Sequence, residues 1–284
     1  MKIDRRNFVK ATAAGVAGLS AGGCSPRMHV RSPYASGIPG VETSLLVNDL
    51  HSQLNPTRVH AIVKAPAVDA AAEAIRQAKA AGRVVAVAGG RHAMGGQQFA
   101  EDAVLLDTRA LDGILAFDRE AGTVTVEGGV QWPQLMAYLD AEQAARDGRA
   151  GDAPLWGIIQ KQTGADRLSL GGALACNAHG RGLALKPMIQ QVRWFDLIDA
   201  DGAVRHCSRT ENRELFGLAI GGYGLFGVMA RLQLELRPRV KVRRVVELAE
   251  TGSIIERFEE RIRDGHLYGD YQFTTDATRD SFLH

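Results

Sequence analysis

Between Val68 and Ala81 the apolar residues fall at Val68, Ala71, Ala72, Ile75 and Ala78. That spacing marks one face of an α-helix, and Gly82 follows it as a C-cap. The run Val59–Lys64, ended by Pro66, and the run Arg83–Ala88 flank this helix and read as strands. Together they predict a β-α-β unit, whose crossover should be right-handed. Further on, the pattern changes. Val104–Asp107, Gly113–Phe117 and Thr123–Glu127 read as strands, the last two joined as a hairpin through Asp118–Gly122. Trp132–Leu139 reads as a helix with a proline in its first turn. Val192–Asp199 and Val204–Cys207 should pair across Asp199-Ala200-Asp201-Gly202, and Arg213–Ile220 should form a short helix. Val228–Leu236 alternates in its second half, the signature of a half-buried strand. A parallel unit followed by hairpins predicts an α+β fold of two packed α/β subdomains, beginning near Leu45.

Glycine accounts for 32 of 284 residues and concentrates at 89–96, 171–182 and 221–227. The hexamer Gly222-Tyr223-Gly224-Leu225-Phe226-Gly227 is a literal GxGxxG, yet a helix precedes it and a strand follows. A dinucleotide fingerprint needs the reverse order, so this hexamer is read as a decoy. The segment Gly89-Gly90-Arg91-His92-Ala93-Met94-Gly95-Gly96 leaves a strand but lacks the Lys-Ser/Thr of a phosphate-transfer loop. Its glycines instead let successive amides form an anion-binding concavity and let a ligand approach the backbone. In the second cluster, Thr163 to Gly182, small residues imply backbone packed against a large flat body. Asn177 and His179 are available there for directed hydrogen bonds.

Composition narrows the classes. With 45% hydrophobic and 23% charged residues and a formal net charge of +2, the chain is an ordinary globular one. Nothing marks it as a dedicated nucleic-acid binder. Cys24, Cys176 and Cys207 form no CxxC pair, so no zinc site or disulfide framework is predicted, and Cys176 is expected to be a small packed residue. Trp132 and Trp156 are expected in the core, Lys161 and Arg167 at the surface. At the N-terminus, Arg5-Arg6-Asn7-Phe8 precedes a short, weakly apolar run, which matches a twin-arginine export signal over 1–24 and predicts a periplasmic or membrane-attached protein. Membrane contact is expected only through that signal or a lipid on Cys24, although Ala21 stands where lipoprotein sites prefer a larger aliphatic residue. Residues 25–44 read as a linker, and 239–284 as the start of a further, truncated element.

The three motifs GGRHAMGG, SLGGALACNAHGRG and ELFGLAIGGYGLFGV, in this order and spacing, resemble the FAD-binding domain of the vanillyl-alcohol oxidase / p-cresol methylhydroxylase (PCMH-type) family. The resemblance covers about residues 50–238 and is strongest to the alditol and aldonolactone oxidase branch and to decaprenylphosphoryl-ribose oxidase. It implies a PCMH-type FAD-binding domain over 45–238 with the start of a substrate or cap domain over 239–284. It implies FAD contacts at Ala88, Gly89, Gly90, Arg91, His92, Ala93, Met94, Gly95, Gly96, Gln97 and Gln98 around the pyrophosphate. It further implies contacts at Gly164, Ser169, Leu170, Gly171, Gly172, Cys176, Asn177 and His179, and at Val228 and Met229. His92 occupies the position at which many members carry a histidine bonded to the flavin 8α-methyl. Ala93 replaces the usual serine beside it, and the decaprenylphosphoryl-ribose oxidases bind FAD without that bond, so both modes of attachment stay open. The implied activity is hydride transfer from a CH–OH carbon of a sugar alcohol, lactone or sugar-like substrate to flavin N5. Oxygen or another acceptor would reoxidise the flavin. A flavin-binding module without a complete active site and a C=C reductase on the same fold are the alternatives. No catalytic base is nominated, because the resemblance places that group in segments the motifs do not cover.

Overall fold

A computed structural model describes residues 45–144 and 154–273. The export signal, the linker and Cys24 lie outside the described residues. The fold begins with β1 (Leu46–Val47) and β2 (Thr57–Arg58), a two-rung antiparallel ladder too short to leave a periodic signal in the sequence. The predicted β-α-β unit follows as β3 (Ala61–Lys64), α1 (Val68–Ala80) and β4 (Val85–Ala88). Its two strands are parallel but not adjacent, because β5 (Val104–Asp107) inserts between them and pairs with both. All four residues of β5 are buried, as a central parallel strand covered on both faces requires.

The second sheet is antiparallel and starts with the predicted hairpin, β6 (Ile114–Asp118) and β7 (Thr123–Glu127). After α2 (Trp132–Gln143) comes a strand absent from the sequence reading, β8 (Trp156–Ile158). A short helix, α3 (Leu170–Ala175), also went unread, because its glycines and alanines carry little helical periodicity. Then follow β9 (Val192–Ile198), β10 (Val204–Ser208), α4 (Arg213–Ala219) and β11 (Val228–Pro238). The strand order is β10-β9-β11-β7-β6, and β8 pairs with the far end of β11. In β11 burial alternates from Ala230 onward, so Leu232, Leu234 and Leu236 share one buried face. Beyond Pro238 an extended segment leads to α5 (Ile254–Arg263), which buries none of its residues.

One helix joins the two sheets. Val68, Ala71, Ala72 and Ile75 of α1 pack against Leu106 of β5 on one side and against Ile198, Val228 and Ala230 of β9 and β11 on the other. Its helical face is largely alanine, which lets the sheets come close. The larger core lies on the opposite face of the antiparallel sheet, where Trp132, Leu135, Leu170, Leu174, Phe195, Phe216 and Leu232 meet. Trp132 is a core residue as expected, and Trp156 packs half-buried against the same cluster. Cys207 is buried, whereas Cys176 is exposed, which corrects its reading as a packed residue. Among the described residues no helix is long and apolar enough to cross a membrane. The observed mixture of a parallel and an antiparallel sheet with covering helices is the α+β architecture the periodicities predict.

Candidate functional site

The carboxyl ends of β4 and β5 open onto a cleft of about 390 Å³ between the two sheets. Cleft volumes of a few hundred cubic ångströms suit small-molecule and cofactor binding. The first glycine loop forms one wall through Gly89, Gly90, Arg91, His92, Ala93, Gln97 and Gln98. Ser169, Gly171 and Gly172 at α3, then Cys176, Asn177 and His179, form the second. Val228 and Met229 of β11 close the floor. The structure therefore gathers most of the nominated residues, as far apart in sequence as Gly89 and Met229, around one space.

Six nominated residues do not line this cleft. Ala88 and Leu170 turn their side chains into the cores, with 1% and 0% of their surface exposed. Met94, Gly95 and Gly96 lie on the outer bend of the loop, where Met94 is exposed and its carbonyl accepts from Asn55 Nδ2 at 2.6 Å. Gly164 is exposed on an approach loop. Conversely, Val87, Thr108, Gln162, Leu168, Ala175, Ala178, Tyr223, Gly224 and Gly227 line the cleft without having been nominated. Tyr223, Gly224 and Gly227 belong to the third glycine motif, so their signal was present. Thr108 could be found only from the parallel pairing that puts the end of β5 beside the end of β4.

Close approach explains why particular positions are glycine. A Cβ on Gly89 would stand 2.0 Å from Ser169 Oγ, so the first and second walls touch there. A Cβ on Gly90 would stand 2.4 Å from the Arg167 carbonyl oxygen and 2.9 Å from His92 Cδ2. The third glycine segment hangs on α3, with Tyr223 N–H donating to Ala175 O at 2.8 Å and Gly221 N–H to Leu174 O at 3.2 Å.

Backbone strain gathers at the same place. Arg91, Asn177 and Tyr223 all have positive φ, at 57°, 47° and 53°, and all three line the cleft. Non-glycine residues adopt that region rarely, and such outliers cluster at ligand clamps. Asn177 is held in it by its own side chain, whose Oδ1 accepts from Ile189 N–H at 3.1 Å.

Electrostatics of the first wall centre on Arg91. Its Nη2 lies 3.7 Å from Oδ2 of Asp107, a carboxylate with a side chain only 2% exposed. Burial would raise the Asp107 carboxyl, but hydrogen bonds from Arg109 and the charges of Arg109 and Arg91 hold it below the usual range. Burial lowers Arg91 from its ordinary value, against the pull of Asp107. His92 is lowered as well, first by burial and then by its neighbour His51, with the Arg167 carbonyl acting in the opposite sense. The imidazole is accordingly held toward its neutral form, the form able to act as a nucleophile or hydrogen-bond acceptor.

The walls fit a dinucleotide that carries an anionic centre and a flat ring. The amides of Gly90, Arg91 and His92 donate to no protein acceptor among the described residues, and Arg91, between the other two, has left-handed backbone. Arg91 Nε, His92 Nε2 and Gln98 Oε1 are buried polar atoms without a hydrogen-bond partner, all on this one loop. Buried polar groups are normally paired, so three orphans on one cleft wall mark a surface built for a ligand's polar atoms. Among the described residues no cluster of His, Cys, Asp and Glu could hold a metal ion.

A strand-terminal glycine loop with free amides, facing a second small-residue wall across the gap between two sheets, defines a nucleotide-cofactor cradle. Residues 59–208 match the family model of the FAD binding domain, and the chain belongs to this family. FAD is that family's cofactor, and the fold is that of the PCMH-type flavoproteins. Similar proteins include the alditol oxidase of Streptomyces sp. (strain IKD472 / FERM P-14339), 30% identical over 141 residues, covering 50% of this chain and 30% of the relative. The decaprenylphosphoryl-beta-D-ribose oxidase of Mycolicibacterium smegmatis is 28% identical over 183 residues, covering 64% of this chain and 37% of the relative. Cytokinin dehydrogenase 3 of Oryza sativa subsp. japonica is 31% identical over 159 residues, covering 54% and 28%. The chain thus spans about a third of the length of these curated relatives.

Proposed function

We propose that this chain is the cofactor-binding part of an FAD-dependent oxidoreductase that oxidises a CH–OH carbon of a sugar alcohol, lactone or sugar-like substrate. The observation that carries the cofactor half is the first wall, where free amides, Arg91 and three orphaned polar atoms face one cleft. The donor half draws support from the names of two relatives, an alditol oxidase and an oxidase of a ribose derivative. Bound in the cleft, FAD supplies the hydride acceptor. The residues of this chain then have separate tasks. The Gly90–His92 amides and Arg91 hold the diphosphate, Ser169 and Gly171 pack against the ring system, and Asn177 and His179 offer hydrogen-bonding groups at the cleft wall. Oxygen or another acceptor takes the electrons onward.

The test is anaerobic bleaching of the flavin absorbance in purified protein by polyols, aldonolactones and isoprenoid-linked sugars. Bleaching by one of these classes supports the reading. Bleaching by NADPH alone would replace it with a C=C reductase, and protein that binds no flavin would sink it altogether. The paired arginines at Arg5-Arg6 support export by the twin-arginine route, with the cofactor loaded before export. A reporter fused after residue 24 should reach the periplasm, and an Arg5→Lys, Arg6→Lys double variant should stop it.

A further inference from the structure

His51 Nε2 lies 2.8 Å from His92 Nδ1, and the two rings stand 4.9 Å apart at an interplanar angle of 46°. His51 belongs to the segment Asn48–Asn55, which neither the glycine motifs nor the cleft lining includes. That segment is tied into a knot by one buried carboxylate. Asp49 accepts from the N–H of His51 at 2.9 Å, the N–H of Ser52 at 2.6 Å and the Ser52 hydroxyl at 2.7 Å. The knot is then clamped onto the glycine loop on either side of His92. Leu50 N–H donates to the Arg91 carbonyl at 3.0 Å, and Asn55 Nδ2 donates to the Met94 carbonyl at 2.6 Å.

We propose that His51 is a positioning residue, delivered by the Asp49 knot to hold the His92 imidazole in one ring orientation and one tautomer at the cleft wall. The geometry leaves the ring little choice. On one side Nδ1 is engaged by His51. On the other, the ring edge lies against Gly90, where a Cβ would stand 2.9 Å from Cδ2 and 3.4 Å from Nε2. Two facing imidazole nitrogens share one proton, so the direction of the His51 bond and the tautomer of His92 are coupled: with His51 as donor the His92 hydrogen sits on Nε2, with His51 as acceptor on Nδ1. Nε2 is buried and makes no full hydrogen bond, and the Arg167 carbonyl beside the same ring edge is the acceptor for its hydrogen when His51 donates to Nδ1. Asp49 acts one step further back, by orienting His51 as second-layer groups orient catalytic and metal-binding histidines. The inference rests on the FAD reading only for what His92 meets, and not for the His51–His92 bond itself.

The test uses the purified chain labelled with 15N. Long-range 1H–15N spectra report the two ring nitrogens of His92, assigned by their loss in His92→Ala. The expected wild-type result is one protonated and one unprotonated nitrogen with well-separated shifts. In His51→Phe, which keeps a ring but removes the nitrogen, the two shifts should move toward a common averaged value. His51→Gln should restore part of the separation, because its amide can still bond to Nδ1. A second readout is the flavin retained after acid precipitation, expected to fall about tenfold in His51→Phe at equal total FAD. Unchanged His92 shifts in His51→Phe overturn the proposal, since a packing role alone would predict them. Should that variant lose its fold, His51→Leu makes the same comparison. A wild-type pellet without flavin refutes a covalent bond at His92 and leaves the spectra to decide on His51.

Discussion

Asp107 Oδ2 stands 3.7 Å from Nη2 of Arg91 and joins the end of β5 to the glycine loop that leaves β4. The same carboxylate accepts from Arg109 Nε at 2.9 Å, so one buried anion serves two cations. Its neutralisation should be felt in the loop. In Asp107→Asn, Arg109 can turn to solvent, being about half exposed, but Arg91 stays buried beside a neutral amide. Removing one partner of a buried pair costs about 3 kcal/mol. For a domain of this size that is roughly a 10 °C fall in Tm. The measurement is a thermal melt with and without FAD. Because the FAD diphosphate would replace the lost anion beside Arg91, the deficit should shrink when cofactor is bound. An equal deficit in both melts would separate Arg91 from the phosphate.

The Asp49 knot predicts an acid limb of stability. Burial alone would raise this carboxyl, but hydrogen bonds from Ser52, Asn55 and the Gln53 amide hold it at about 2, below its ordinary 3.8. The unfolded chain therefore binds the proton first as pH falls. Stability from this group is fully present above 3.8 and is lost as pH drops toward about 2. Asp49→Ala should cost about 2 kcal/mol at pH 7, the usual worth of a charge-assisted hydrogen-bond set. Urea midpoints compared at neutral pH and at pH below 3 check it. The gap between wild type and variant should narrow in acid, and a constant gap would show that the ionised form is not what holds the knot.

Much of this architecture was legible because its signals are local. The five apolar positions of α1 announce a helix, and the Asp118–Gly122 turn announces the β6–β7 hairpin. The three glycine motifs could be nominated as walls because glycine clusters of that density have few structural explanations. What stayed hidden depends on pairing across distance. Nothing in Val104–Asp107 says that it inserts between β3 and β4, yet that insertion puts Thr108 at the cleft and Asp107 beside Arg91. The Asn48–Asn55 segment has no periodicity at all. Its importance arises from one carboxylate accepting several local donors and from contacts with residues about 40 positions away, such as His51 with His92. The failures also follow a rule. The run Ala88 to Gln98 is not a uniform surface, because a bending chain turns some residues inward and others outward. Ala88 and Met94 fell on the wrong sides of that bend.

Cys176 gives a chemical probe of the second wall. Its residue surface is exposed on the cleft lining, yet the sulfur itself is poorly solvated, which raises its thiol from the ordinary value. Cys207 is fully buried and pushed up to about 11, so it should not react until the chain unfolds. In a Cys24→Ser background, a small alkylating reagent should therefore modify Cys176 slowly and Cys207 not at all. If FAD lies along Gly171, Gly172 and Cys176, occupancy should shield the thiol. At a free FAD concentration of about ten times Kd, the rate at Cys176 should fall about tenfold, in proportion to the unoccupied fraction. Peptide mass spectrometry of timed samples reads the rate at each cysteine. Equal rates with and without FAD, in protein shown by absorbance to have bound it, would place the cofactor away from this wall and require Cys176 to face substrate or solvent instead.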